Sequence, residues 1–363
     1  MSFANQPSPN DVGVAVVGAG YWGPNLIRNF LASDHMWLWS VCDLDVDRAR
    51  RVLGRHTSVH VTNDLDDILG DPRIEAVAIA TPARTHYGIA RACLEAGKHV
   101  LVEKPLALSS SDADRLVALA AERGLTLMCD HTYCYTPAVN WIRSETARGT
   151  LGRIQYIDSV RINLGIIQPD ADVFWDLLPH DLSILDSILP AGIEPTAVSA
   201  LGVDPVGAGR ACVGYVTMML PGAGIAHVHV SWLSPVKIRT TIIGGSHRYV
   251  VWDDVNPAQR LSIYERGVDV STFRAPDDQR EMMVQYRTGD MMAPALGEHE
   301  ALGEVARHFT ECIRTGRAPL TDGRSGVRIL RILEAVDQSI AAHGALVPLN
   351  ERARRDVAAE VLT

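Results

Sequence analysis

No apolar run in this chain approaches the roughly 18 residues that a membrane-spanning helix needs, so a membrane protein is not expected. The six cysteines, Cys42, Cys93, Cys129, Cys134, Cys212 and Cys312, contain no C-x-x-C pair. Such scattered thiols argue against a disulfide scaffold or a zinc site and suit a reducing cytoplasm. Positive charge is the scarcer sign: 34 Lys and Arg against 43 Asp and Glu leave a formal net charge of −9. A surface of that sign repels phosphates, which excludes a general nucleic-acid binder but leaves room for a local pocket around one phosphate group. Internal repeats and low-complexity tracts are absent too. What is present is length and apolar content. With 363 residues, at about 150 per domain, two domains are expected, and 47% hydrophobic residues suffice for a sizeable core. The polar, proline-containing start M-S-F-A-N-Q-P-S-P-N-D reads as a loose tail over residues 1–11 and not as a signal peptide.

From residue 12 to about 150, short apolar runs alternate with helical patterns, as the βαβ units of a parallel sheet do. Strands are expected at Val12–Val17, Leu38–Cys42, Ala76–Ala80, His99–Val102 and Leu125–Cys129. Helices are expected at Pro24–Ala32, Asp47–Gly54, Tyr87–Ala96 and Ser109–Arg123. The pattern changes after Gly149-Thr150. Apolar runs then follow one another at Ile154–Asn163, Ala197–Val203, Val213–Leu220, Ile225–Trp232, Lys237–Ile243, Tyr249–Trp252 and Leu261–Glu265. Several alternate apolar with polar residues, which reads as one antiparallel sheet with a half-exposed face. Helices at Val173–Leu189, Glu298–Gly316 and Gly326–Ala342 complete the plan. The expected architecture is an α/β Rossmann domain with a doubly wound parallel sheet at 12–150. An α+β domain with an open, mainly antiparallel sheet is expected at 151–363.

Gly18-Ala19-Gly20-Tyr21-Trp22-Gly23 fits G-x-G-x-x-G between a strand and a helix. In that context Gly18 permits the tight turn, Gly20 lets backbone approach a pyrophosphate, and Gly23 lets helix pack on strand. The helix N-terminus offers N–H groups and positive dipole to phosphates, with Tyr21 and Trp22 in the same loop. Asp43 ends the second strand, where an acidic residue would accept from an adenosine ribose and repel a 2′-phosphate. This favours NAD over NADP. Thr81-Pro82 closes the next strand at the sheet's carboxyl edge and can line the nicotinamide side, or simply terminate the strand. His86 nearby reads as a helix-start residue, and by position it is also a candidate at the cofactor. Glu103-Lys104-Pro105 follows the strand H-V-L-V directly. A lysine there can stabilise a developing alkoxide; the alternative is an exposed Glu–Lys surface pair.

Asp176 and His180 stand four apart in W-D-L-L-P-H-D and would share a helix face. A carboxylate that orients an imidazole is a general-base arrangement, although Pro179 disturbs regular helix. The same pair could ligate a metal, but a third ligand at sensible spacing is missing, and no metal is expected. The plain structural alternative is an aspartate cap with a hydrogen-bonded core histidine. Candidate substrate contacts are Trp175, Arg161, Asn163, Arg239 and Trp232. His227 and His229 alternate along one strand and read as sheet-surface or interface residues.

Taken together these residues resemble the glucose–fructose oxidoreductase/inositol dehydrogenase (Gfo/Idh/MocA) family. The likeness rests on V-V-G-A-G-Y-W-G-P-N-L at Val16–Leu26, A-T-P-A-R-T-H at Ala80–His86 and A-G-K-H-V-L-V-E-K-P-L at Ala96–Leu106. H-T-Y at His131–Tyr133 and D-x-x-x-H at Asp176–His180 extend it, over about Val12 to Ala342. The resemblance implies hydride transfer between a nicotinamide and a sugar or cyclitol carbon. Lys104 would be the catalytic lysine, Asp176 and His180 the downstream pair, and His131 and Tyr133 substrate-side residues. It also implies a homodimer or homotetramer formed through the C-terminal sheet. Y-W-G-P-N-L with W-D-L-L-P-H-D-L-S-I-L is similar to nucleotide-sugar 3-dehydrogenases of the family. The expected reaction is therefore oxidation at carbon 3 of a hexose unit, free or nucleotide-linked. Cyclitol oxidation, keto-sugar reduction and a catalytically silent NAD-binding sensor are the alternatives. Asp130 departs from the family pattern, which has glycine before His131; its carboxylate would either alter substrate charge preference or bond locally.

Overall fold

A computed structural model of the chain describes residue 8, residues 11–274 and residues 280–349. Most of the 1–11 tail lies outside the described residues. Two compact units are present: residues up to Thr136 together with Glu298–Arg331, and Pro137–Gly297 together with residues from Ile332 onward.

The first unit is a parallel sheet of β1 (Val12–Val17), β2 (Met36–Cys42), β3 (His60–Thr62), β4 (Ala76–Ile79), β5 (His99–Glu103) and β6 (Leu127–Asp130) in the order β3-β2-β1-β4-β5-β6. The helices between them are α1 (Gly23–Leu31), α2 (Val46–Leu53), the short α3 (Asp66–Leu69), α4 (His86–Glu95) and α5 (Ser110–Arg123). β1 and β4 are buried along their whole length, as expected of central parallel strands covered on both faces. Local chemistry sets the helix ends. Asp45 caps α2 by accepting from Arg48 N–H at 2.9 Å, and Ser109 caps α5 by accepting from Asp112 N–H at 3.1 Å. Gly124 closes α5 at φ 64° and Gly97 follows α4 at φ 78°, both in the left-handed region that glycine enters without strain.

This unit regains a later stretch of chain, 298–331, which the division at residue 150 assigns to the other domain. Packing explains the return. In α8 (Ala301–Thr315), Leu302, Val305 and Phe309 are buried in one core with Val14, Val16, Leu26 and Phe30. α9 (Gly323–Ala341) contributes its first part to this unit and its last part to the other. β3 escaped the sequence reading because three residues carry too little periodicity.

The second unit holds a nine-stranded sheet and, in sequence before it, α6 (Pro137–Ala147), which the sequence reading also missed. The strands are β7 (Ile154–Leu164), β8 (Ala197–Val203), β9 (Val213–Leu220), β10 (Gly224–Ser231), β11 (Leu233–Gly245), β12 (Tyr249–Asp253), β13 (Leu261–Tyr264), β16 (Met291–Met292) and β17 (Val347–Pro348). Their order is β16-β13-β12-β11-β7-β10-β9-β8-β17. A separate hairpin pairs β14 (Gly267–Arg274) with β15 (Arg280–Arg287). The large sheet is antiparallel except where β10 runs parallel to β7, which agrees with the expected mainly antiparallel sheet. The intervening α7 (Val173–Ile188) supplies the crossover that a parallel pair needs.

Alternation along β8, β9 and β10 sorts residues by face. Val198, Ala200, Val216, Met218, Ala226 and Val228 are buried, while Leu201, Tyr215, Met219 and Ile225 are exposed. Phe174 of α7, fully buried, meets the sheet where its side chains vanish: a Cβ at Gly214 would stand 2.0 Å from the Phe174 ring. The ring fills the space that the glycines leave open. Phe174→Ala should therefore lower the free energy of unfolding by about 3 kcal/mol or more. Denaturant titration followed by tryptophan fluorescence measures this, and a loss under about 1 kcal/mol would contradict the packing described.

Candidate active site

The strand order reverses between β1 and β4, and open α/β sheets bind ligands outside the carboxyl ends of the strands at such a switch point. Gly18 leaves β1 there at φ 100°. A Cβ on it would lie 2.7 Å from the Ala80 carbonyl, and one on Gly23 would lie 2.1 Å from Gly18 O. Both glycines are thus required by the protein's own backbone. Gly20 differs, because a Cβ there meets nothing within 4 Å. The space in front of Gly20 belongs to no part of the first unit, which fits a loop that lets a ligand approach. α1 begins with proline in its first turn and no acidic residue there, and Trp22, its N-cap, makes no side-chain cap. A helix start of that kind favours an anion. Tyr21 is 92% exposed beside it.

Asp43, buried at the end of β2, accepts from Ala19 N–H at 2.6 Å, from Asp45 N–H at 2.8 Å and from Arg48 Nη2 at 2.6 Å. Burial pushes its carboxyl up, but these donors outweigh burial and hold it below the ordinary value. The carboxylate is ionised and anchored to the glycine loop. The residues present therefore fit a dinucleotide: phosphates at the helix start, ribose at Asp43.

Thr81 follows β4, its hydroxyl 2.7 Å from Thr85 Oγ1, and Pro82 is exposed. His86 is 1% exposed. Its Nδ1 stands 2.7 Å from Pro105 O and its Nε2 2.8 Å from Thr81 O. The imidazole ties the loop after β4 to the loop after β5, the one that carries Lys104. Burial pushes its pKa down against the pull of the two carbonyls.

Glu103 and Lys104 stand half-buried at the end of β5, and Glu103 Oε2 accepts from Lys104 N–H at 2.9 Å. Across the ladder Glu103 is in register with Asp130 of β6, and Glu103 Oε1 is buried without a hydrogen-bond partner. Asp130, 2% exposed, accepts from Thr132 Oγ1 at 2.8 Å and from Trp22 Nε1 at 3.4 Å. Of the two readings of this residue, the local one describes its partners. Burial first, and the Asp130 carboxylate second, push Glu103 well above the usual carboxylate range. Burial raises Asp130 as well, against its Thr132 and Trp22 donors. His131, buried, and Tyr133, half-exposed, belong to the 3-10 turn that follows β6.

In the second unit α7 runs unbroken through Pro179, so Asp176 and His180 share a helix face, both half-buried. The expected disturbance reduces to one missing backbone hydrogen bond. The cap is Asp172, which accepts from Phe174 and Trp175 N–H at 3.0 Å each. Asp176 accepts from Trp232 Nε1 at 3.0 Å. Trp232, 1% exposed, thus holds the carboxylate from behind. Arg161 forks onto Asp181, Nε to Oδ2 at 2.7 Å, with both side chains 4% exposed or less; the strand pattern alone could not show that its partner was one residue beyond His180. Trp175 Nε1 donates to Asp337 at 3.0 Å. Arg239, cross-strand from Arg161, lies 3.6 Å from Asp254, and Asn163 is half-exposed near the end of β7. His227 and His229 flank Tyr215 on the exposed sheet face, His229 stacked at 4.4 Å.

A glycine loop at the switch point with an ionised acid at the end of β2 is the cofactor half of a nicotinamide-dependent oxidoreductase. Comparison with known proteins agrees. Residues 12–131 match the family described as "Oxidoreductase family, NAD-binding Rossmann fold". The chain is 29% identical over 318 residues to UDP-N-acetylglucosamine 3-dehydrogenase of Acidithiobacillus ferrooxidans, covering 87% of this chain and 93% of that one. It is 25% identical over 335 residues to myo-inositol 2-dehydrogenase of Thermotoga maritima, covering 90% and 96%. Its fold superposes on GenD2 from gentamicin A biosynthesis in complex with NAD with a TM-score of 0.77 at 26% identity, covering 96% and 100%. Residues 12–131 thus carry the NAD-binding domain of the Gfo/Idh/MocA oxidoreductases, and most of the chain is similar to oxidoreductases of that family.

Gly20 separates protein demands from ligand demands. Gly20→Val should leave the thermal midpoint of the apoprotein within about 2 °C, yet weaken NADH binding by at least about ten-fold, as read by calorimetric titration. Equal affinity in the variant would show that no ligand approaches this loop.

Proposed function

We propose that the chain is an NAD-dependent dehydrogenase acting on a secondary alcohol of a sugar, at carbon 3 of a nucleotide-linked hexose. The relative from Acidithiobacillus ferrooxidans, named for that reaction, supports the substrate class. One observation carries the reading: His86 joins Thr81 O to Pro105 O, so Lys104 is held on a loop tied to the strand end beside the switch point. That is where a cation can meet an oxygen undergoing reaction at the nicotinamide.

The Gly18–Gly23 loop and the start of α1 would hold the pyrophosphate and Asp43 the adenosine ribose. Bound there, NAD supplies the hydride acceptor, a chemistry the side chains lack. His180, oriented from Asp176, takes the hydroxyl proton as general base. The Lys104 ammonium stabilises the negative charge that grows on the same oxygen. In the reductive direction His180 returns the proton. Asp43 selects NAD, because its carboxylate, held ionised, would repel a 2′-phosphate.

The test is a panel of nucleotide sugars, free sugars and inositols with NAD and with NADP, read as reduced-nicotinamide absorbance. Turnover is expected with a nucleotide sugar and NAD. Lys104→Ala should cut it by about 100-fold or more while NADH binding persists. Unchanged turnover would remove Lys104 from the mechanism, turnover with inositol alone would make the protein a cyclitol dehydrogenase, and a flat response with NAD would leave reduction or sensing.

We further propose that a second copy of the chain covers the exposed face of β8, β9 and β10. Leu201, Tyr215, Met219 and Ile225, each more than 40% exposed, form an apolar face of the kind that marks an interface. Tyr215→Arg should reduce the mass in solution to that of one chain by light scattering; an unchanged mass would place the interface elsewhere.

A further inference from the structure

Asp130 is an acid that the hydride-transfer scheme does not use, and its surroundings give it a task. Its carboxylate receives Thr132 Oγ1 at 2.8 Å and Trp22 Nε1 at 3.4 Å, and its strand neighbour in register is Glu103. Two ionised carboxylates cannot rest against each other inside a protein, and the common solution is one proton shared between them. Which group keeps that proton follows from the donors. Asp130 already accepts from an indole N–H and a hydroxyl, both of which favour its charged form, whereas Glu103 Oε1 is buried with no hydrogen-bond partner, and burial beside Asp130 pushes Glu103 well above the usual carboxylate range.

We propose that Asp130 is a positioning residue for Lys104: as an ionised neighbour in register with the Glu103 carboxyl, it keeps Glu103 protonated and so prevents an ion pair between Glu103 and the lysine beside it. The effect on Lys104 rests on the proposed function, whereas the shared proton does not. The groups around the pair are Lys104 beside Glu103, Cys129 on β6, Trp22 from the glycine loop, and Thr132 and Tyr135 in the turn beyond. Burial pushes the Cys129 thiol and the Tyr135 phenol up, so both are neutral. Lys104 supplies the positive charge and Asp130 the negative one, and Glu103 separates them as a neutral acid. With glycine or asparagine at position 130, Glu103 would ionise against Lys104 and draw the ammonium back from the reacting oxygen. Asp130 thus acts on the reaction through Glu103, and Trp22 links it to the glycine loop.

Infrared spectroscopy of the full-length protein at about pH 8 tests the proton directly. Asp337, pushed up to about 6 by burial, is ionised there and does not interfere. A carboxylic-acid C=O band is expected in the wild type and absent in Glu103→Gln. In Asp130→Asn the band should titrate at a pH lower by on the order of one unit or more. Turnover is the second arm. Asp130→Asn should lower kcat by about ten-fold with KM for NAD moved less than about two-fold. Asp130→Asn/Glu103→Gln should recover at least half of that loss, because a neutral amide replaces the neutral acid; a merely structural role for Asp130 gives no such rescue. A wild type without the band, a band that survives Glu103→Gln, an unmoved midpoint in Asp130→Asn, or a double variant no faster than Asp130→Asn would each overturn the proposal. Should no polyol be turned over, the function fails and the infrared result still decides the shared proton.

Discussion

The first unit depends on the contact between Gly18 and the end of β4. With φ at 100° and the Ala80 carbonyl 2.7 Å from where a Cβ would stand, the turn out of β1 is pressed against backbone that cannot give way. That approach brings the glycine loop and the loop after β4 side by side at the switch point. The rest is built outward from there. Gly23 presses α1 onto Gly18 O, His86 fixes the Lys104 loop to Thr81, and Trp22 reaches across to Asp130. A residue larger than glycine at position 18 would displace three loops at once.

The second constraint is electrostatic. Near the carboxyl edge of the sheet stand three buried or half-buried acids, Asp43, Glu103 and Asp130, and each is tolerated by a different device. Asp43 is ionised and surrounded by donors, two of them backbone N–H groups. Asp130 leans on an indole and a hydroxyl. Glu103, with one backbone donor, is pushed well above the usual carboxylate range by burial and by Asp130. A buried carboxylate with several donors costs little, whereas one with few is driven toward its neutral form. The same arithmetic explains Arg161 in the second unit, a buried guanidinium that persists because Asp181 meets it in a fork.

Much of the fold was legible because its signals are local. The alternation of apolar runs and helices, Ser109 and Gly124 around α5, and G-x-G-x-x-G between β1 and α1 all lie within a few residues of what they decide. Three things were not legible. β3 is too short to show a period. α8 carries an ordinary amphipathic pattern that names no partner, and its burial against β1 and α1 spans nearly 300 positions of sequence. The parallel pairing of β7 with β10 leaves no trace in either strand, since both alternate as antiparallel strands do. Among candidate site residues, the glycines, Asp43 and Lys104 announced themselves by position at strand ends. Arg161 and Trp232 were chosen for their chemistry alone, and the structure shows that chemistry already engaged, by Asp181 and Asp176.

Position and partner are therefore separate kinds of information, and Asp130 shows how far apart they can be. By sequence it is an extra negative charge in an acidic chain, one residue before His131, and the expectation is either an effect on what substrate is admitted or a local bond. Placed in the ladder it is opposite Glu103, beneath an indole, and almost without access to solvent. It can change the protonation of the group beside it, and that group adjoins Lys104. A net charge of −9 describes what a distant polyanion would meet; the reacting oxygen meets only the few groups at the strand ends, where one proton on Glu103 changes the balance by a full unit.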